Sequence, residues 1–193
     1  MLTGLAPLVS ARTRLLILGS FPGVASLAAQ QYYGHPQNHF WKILQAIWPP
    51  GPVDTGAGSY QKRSDWLLDR GLGLWDVYAG CEREGSLDSR IRKPQLNDFS
   101  ALSRLCPQLQ ASAHNGAESF KHAKKIAPTL ATACAALPPE GAISPWGGPA
   151  AKCAGSSIVF YKLPSTSAAN ASWSFERKLT AWRELFETLQ LTD

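Results

Sequence analysis

Cysteine is scarce in this chain, and what there is lies scattered. Cys81, Cys106, Cys134 and Cys153 are separated by 25, 28 and 19 residues, with no CxxC and no Cys/His pairing of the kind that metal sites use. They read as reduced, small, buried hydrophobes. Long apolar runs are missing too. Nothing approaches the roughly 18 residues of a membrane span, and the opening MLTGLAPLVSARTR lacks the charged start and long apolar centre of a secretory leader. A cytoplasmic protein without a metal or other cofactor is expected.

What is present suffices for a proper core. With 193 residues, 45% of them hydrophobic, the chain is the right size for one domain over 1–193 and short for two. Nineteen Lys and Arg against fourteen Asp and Glu leave a net charge of +5, a mild tilt towards polyanions that decides nothing by itself.

Strand and helix signals alternate along the chain. Residues 14–20 form a continuous apolar run closed by a turn, the pattern of a strand buried on both faces. From Asn38, the residues Phe40, Ile43, Leu44 and Ile47 recur at helical spacing until Pro49 and Pro50 stop them. A second helix is expected from Ser59 to Arg70, closed by Gly71, then a short strand over 73–78. Asp98 is placed to cap a helix carrying Phe99, Leu102 and Leu109, which Pro107 can end early. A weaker strand over 109–114 runs into Asn115 and Gly116, and 117–127 reads as helix. Residues 131–156, rich in Ala, Gly and Pro, read mostly as loop. A last strand spans 157–163, and Leu179, Trp182, Phe186 and Leu189 mark a terminal helix. Four strands separated by helices predict an α/β fold in three layers, α/β/α, around a central, mostly parallel four-stranded sheet. The functional loops then belong at the carboxyl ends of its strands.

Those loops are Ser20 to Gly23 leading on to Asn38, the Asn115-Gly116 pair, and Pro164 to Asn170. The stretch LILGSFPGVASLAAQQYYGHPQNHFW, residues 16–41, crowds two tyrosines, two histidines, one asparagine and two further aromatics into ten residues. Aromatic faces beside an amide suit the handling of a flat, polar-edged ligand. On local grounds alone Asn38 is also a natural N-cap of the helix that follows, Asn115-Gly116 is a turn, and Ser165, Thr166 and Ser167 form a polar connector before the last helix.

GSFPG after the first strand, YYGHPQNHFW beyond it, NG at the end of the third strand and LPSTSAAN at the fourth together resemble the uracil-DNA glycosylase superfamily, most closely its hypoxanthine-DNA (deoxyinosine) branch. The likeness runs in order from about Leu15 to Phe186. It implies an enzyme that flips a deaminated base out of double-stranded DNA and cuts its bond to the sugar, leaving an abasic site. It also implies that the base rests against the backbone of Ser20 and the ring of Phe21. Uracil-specific branches usually carry Asp or Asn where Phe21 stands, to hold the attacking water. In the deoxyinosine branch that role falls on Asn38, the implied catalytic residue.

The resemblance makes Asn115 a base contact and the Pro164 to Asn170 loop a minor-groove element, with Ser165, Thr166, Ser167 and Asn170 near phosphates. Ala168 stands where the family commonly has proline, and His114 where it more often has an apolar aromatic. Tyr33 and Phe40 are expected to wall the base pocket. Gly23, His35 and His39 are expected to approach the DNA, and Lys124 and Lys125 are candidate phosphate contacts or a solvated face, as are Arg90, Arg92 and Lys93. No lysine in the motif loops is placed as a Schiff-base nucleophile, so a monofunctional, monomeric enzyme is expected. Uracil or mismatch-directed excision is the alternative within the superfamily. The alternative outside catalysis is a protein that binds lesions or single strands by stacking, with Asn38 only a cap.

Overall fold

The computed structural model describes residues 1–51, 59–130 and 158–192. The expected loop over 131–156 lies outside the described residues.

The apolar run near the start becomes β2 (Leu15–Gly19), buried along its whole length, after a two-residue β1 (Leu2–Thr3). β2 pairs in parallel with β3 (Leu72–Asp76) on one side and with β6 (Ala111–Asn115) on the other, and β6 pairs in parallel with β7 (Val159–Leu163). The order β3-β2-β6-β7 gives the expected four-stranded parallel sheet of an α/β fold. The chain leaves β2 for one edge and β6 for the other. Right-handed crossovers therefore place their helices on opposite faces, as a three-layer arrangement requires. The same reversal opens a crevice between the carboxyl ends of β2 and β6, where open α/β sheets hold ligands.

Short helices follow the strands. α1 (Val24–Ala29) and α2 (Phe40–Ile47) come after β2, with Ile43, Leu44 and Phe40 of α2 turned into the core. α3 (Ser59–Asp69) leads to β3 and packs on it. The terminal α7 (Phe175–Thr188) is capped by the Ser174 side chain, buries Trp182, Leu185 and Phe186 and packs against α2.

Three expectations are revised. The strand expected over 73–78 is two strands: β3 ends at Asp76, and the chain then enters β4 (Tyr78–Glu82) of a second, antiparallel sheet, ordered β1-β4-β5 with β5 (Arg92–Leu96). β5 reads RKPQL. It has no apolar alternation, and its proline is tolerated because the strand lies at an edge. The helix expected after Asp98 shrinks to α4 (Leu102–Leu105). Asp98 Oδ1 instead accepts from the Ser100 N–H at 2.9 Å, and Phe99 and Leu109 enter the core from irregular chain. The helix expected over 117–127 is broken into α5 (Ala117–Phe120) and α6 (Ala123–Leu130).

His114, in the middle of this packing, is fully buried. The Ser119 hydroxyl donates to Leu18 O at 2.8 Å, so its 2.7 Å contact with His114 requires Nδ1–H to be the donor. Burial pushes the imidazole down to about 4, so the ring is neutral and ties β6 to α5 and β2 where an apolar aromatic would only pack.

Candidate active site

A cavity of about 540 Å³ opens at the carboxyl ends of the strands, within the range of roughly 300–1,000 Å³ common for ligand sites. Register explains its floor. β2 and β3 end side by side at Gly19 and Asp76, and β6 and β7 at Asn115 and Leu163, so each following loop starts from the same edge.

The loop after β2 contributes Ser20, Phe21 and Gly23 to the wall. The Ser20 hydroxyl donates to Asp88 Oδ1 at 2.7 Å. Phe21 is only 6% exposed and carries the Arg83 guanidinium 5.1 Å from its ring centre, while Arg83 also donates to Pro22 O. Tyr33, at a φ of +54°, lines the cavity and stacks on Phe40 with ring centres 3.9 Å apart. Burial and the neighbouring Asp76 raise its phenol further above the usual range.

Asn38 and His35 also line the cavity. The N-cap of α2 is His39, not Asn38 as expected, but one position earlier the Asn38 carboxamide oxygen accepts from the Phe40 N–H, the first of the helix, at 2.9 Å. A carboxamide oxygen has two lone pairs, and the second remains for a water. His35 Nδ1 accepts from the Gln37 N–H at 3.2 Å, and its carbonyl accepts from Asn38 N–H at 2.9 Å. That turn fixes the approach to Asn38.

The loop after β7 supplies Ser165, Thr166, Ser167 and Asn170. Asn170 Nδ2 donates to Ser165 O at 3.0 Å. The buried Lys178 ammonium of α7 donates to Ser167 O at 3.1 Å. Thr166 is enclosed: its N–H donates to Asn115 Oδ1 at 2.8 Å, and its hydroxyl accepts from Asn115 Nδ2 at 2.9 Å. Asn115 lines the cavity as expected, yet each end of its amide already serves this loop. Thr166 likewise supports the loop from within, where a phosphate contact was expected.

Four of the expected site residues do not line the cavity. Phe40 is fully buried behind Tyr33, because the helical spacing that marked it as aromatic wall also makes it core. His39 turns away and meets Phe175 edge-on at 5.3 Å. Burial and the Lys178 and Lys42 charges lower its pKa. Lys124 and Lys125 are exposed on α6, outside the cavity wall.

Asp76 is the residue that sequence reading passed over. It lies at the end of β3, lines the cavity and is 5% exposed. Its Oδ2 is buried without a hydrogen-bond partner among the described residues. Its Oδ1 leans over Gly19 so closely that a Cβ there would lie 2.3 Å away. Burial, aided by Asp88 and opposed by Arg83, pushes the carboxyl up to about 7. A lone carboxylate inside the otherwise uncharged strand expected over 73–78 was the available signal. Among the described residues no three His, Cys, Asp or Glu side chains gather as metal ligands, and no helix is long and apolar enough to cross a membrane.

An open parallel sheet whose strand-end loops surround one aromatic- and amide-lined cavity is the arrangement in which α/β proteins commonly hold a ligand. The chain belongs to the uracil DNA glycosylase superfamily, whose model matches residues 6–186. Relatives named hypoxanthine DNA glycosylase come from Methanosarcina barkeri and Methanosarcina acetivorans. They are 40% and 37% identical over 119 residues, covering 62% of this chain and 73% of each relative. The solution NMR structure of a candidate uracil DNA glycosylase from Methanosarcina acetivorans is 29% identical, with a TM-score of 0.72 over 97% of this chain and 98% of that one.

Proposed function

We propose that this protein is a monofunctional DNA glycosylase that turns deoxyinosine out of double-stranded DNA and hydrolyses its N-glycosidic bond, with Asn38 holding the attacking water. The observation that carries the reading is the position of Asn38. It stands in the cavity wall with its carboxamide oriented by the Phe40 N–H, which uses one of the two lone pairs on the oxygen and leaves the other for a water.

An amide is a poor general base near neutral pH. It is adequate where the bond to the base breaks first. The N9–C1′ electron pair then leaves with the base, C1′ becomes oxocarbenium-like, and the water needs placing more than activating. Its oxygen bonds to C1′ and releases a proton to solvent, and the anionic base takes up a proton from solvent and departs as neutral hypoxanthine.

Unstacking a base costs a few kcal/mol, so the cavity must return contacts. Phe21 and Tyr33 offer rings, with stacking worth about 1–3 kcal/mol per base. Asn115 keeps a second N–H and a second carbonyl lone pair beyond its two bonds to Thr166, and Asp76 adds a buried oxygen without a partner among the described residues. Below pH 7 its carboxyl is neutral and presents an O–H donor beside a C=O acceptor. Hypoxanthine shows the complement in O6 and N1–H. A donor at O6 also stabilises the negative charge that develops on the leaving base.

Labelled duplexes carrying hypoxanthine, uracil or xanthine opposite each normal base provide the test. Strand breakage at hypoxanthine that appears only after alkali is the expected result. Tight, salt-sensitive binding with no abasic product would reject catalysis, and breakage without alkali would reject a monofunctional mechanism.

A further inference from the structure

Arg83 directly follows β4 and lies against the base-facing loop without entering the cavity wall. Its guanidinium donates to Pro22 O and sits 5.1 Å from the centre of the Phe21 ring. Phe21 lines the cavity and Arg83 does not, so the ring stands between the guanidinium and the space where a base would stack. Arg83 Nε and Nη1 are buried with no hydrogen-bond partner among the described residues. Among those residues no carboxylate forms an ion pair with it.

A cation with buried, unmet donors is costly unless something negative faces it. Holding the Pro22 carbonyl does not require one, since a neutral donor would serve. Asp76 and Asp88 feel its charge, which opposes their protons, yet burial keeps the Asp76 carboxyl neutral below about 7. The excision step does supply a negative charge. When the bond to C1′ breaks, its electron pair leaves with the base, and the charge spreads over a ring lying on Phe21. A stacking contact of about 3.5–4 Å beyond Phe21 puts that charge about 9 Å from the guanidinium. Across an aromatic ring, in a cavity that the base has emptied of water, the attraction is poorly screened. In the bound substrate the base is neutral, so the attraction grows only as the bond breaks. The guanidinium is also drawn to one face of the ring, which leaves the other face for the base.

We propose that Arg83 is the counter-charge for the departing base, acting from behind Phe21 as a positioning residue that favours bond cleavage over substrate binding. This rests on the glycosylase reading.

The test compares Arg83→Lys, which keeps the charge, with Arg83→Met and Arg83→Gln, which remove it. Single-turnover excision of deoxyinosine is read at pH 6, where Asp76 holds its proton in wild type and holds it more firmly without Arg83. Affinity is read separately, as the Kd for a duplex carrying 2′-fluoro-deoxyinosine, whose fluorine opposes the oxocarbenium-like sugar. Both neutral variants are expected to lose at least about tenfold in rate, the size of a charge pair about 9 Å apart at an effective dielectric near 20. Their Kd should stay within about threefold of wild type, and Arg83→Lys should recover most of the rate. Denaturant melts establish which variants are folded, and having two neutral variants preserves the comparison should one misfold. Wild-type protein that excises nothing overturns the glycosylase reading. Active wild type with neutral variants as fast as Arg83→Lys, or slowed only through Kd, overturns the counter-charge alone.

Discussion

Asn115 and Thr166 hold each other by two hydrogen bonds, one from the Thr166 N–H to Asn115 Oδ1 at 2.8 Å and one from Asn115 Nδ2 to Thr166 Oγ1 at 2.9 Å. The pair joins the end of β6 to the loop after β7. That loop in turn accepts the His39 N–H on the Thr166 carbonyl at 3.0 Å, one residue from Asn38. The loops after β2, β6 and β7 are therefore mechanically connected.

Asn115→Ala removes both bonds and should destabilise the fold by about 2 kcal/mol, and Thr166→Val removes one and should cost about 1 kcal/mol. Denaturant melts of both and of the double variant check this. The double variant is expected to be no worse than Asn115→Ala, because the two residues serve one contact. Excision should fall in all three through loss of loop position.

Asn38 both accepts the first N–H of α2 and lines the cavity, and two substitutions separate these roles. Asn38→Ala should cost about 1 kcal/mol of stability, whereas Asn38→Ser should retain most of that bond. Both should lose at least about 100-fold in excision rate, since the water is no longer placed. An Asn38→Ser protein with the wild-type rate would leave Asn38 with the helix contact only.

Asp76 predicts a pH dependence with a definite sign. Its folded pKa is raised from 3.8 to about 7, so its favourable contribution is complete below pH 3.8 and is lost as pH rises through 7. Asp76→Asn should therefore be more stable than wild type at pH 8, by up to about 4 kcal/mol, and the gap should close towards pH 4. Excision by wild type should decline above pH 7 while Asp76→Asn, which keeps a donor and an acceptor at every pH, shows a flatter profile. Thermal melts and single-turnover rates from pH 5 to 9 read both.

Gly19→Ala tests the contact between β2 and β3 at the cavity floor. The new Cβ would fall 2.3 Å from Asp76 Oδ1, so the carboxyl must move. A cost of about 1–3 kcal/mol is expected, as for other overpacked sites, with excision lost. Adding Asp76→Ala should recover part of the stability and none of the activity, a non-additivity that a double-mutant cycle measures.

Much of this was legible in the sequence because it depends on near neighbours. The apolar run of residues 15–19 could only be a buried strand, the spacing of Phe40, Ile43, Leu44 and Ile47 fixed α2, and Asn38 before it announced a side-chain bond at the helix start. The order of the four parallel strands' motifs likewise placed the loops that carry the site. Tertiary structure decided whatever depends on which distant groups meet. Phe40 and Tyr33 are both aromatics of one crowded segment, yet only packing put one ring in the cavity wall and the other behind it. Nothing near Asn115 in sequence shows that its amide is committed to Thr166, 51 residues away. Nor does the sequence around Asp76 show that one oxygen of its carboxyl lies over Gly19 while the other is left without a partner among the described residues. Periodicity is a local property of the chain, whereas hydrogen-bond satisfaction and burial are settled only when strands in parallel register bring their ends, and the loops beyond them, to one edge of the sheet.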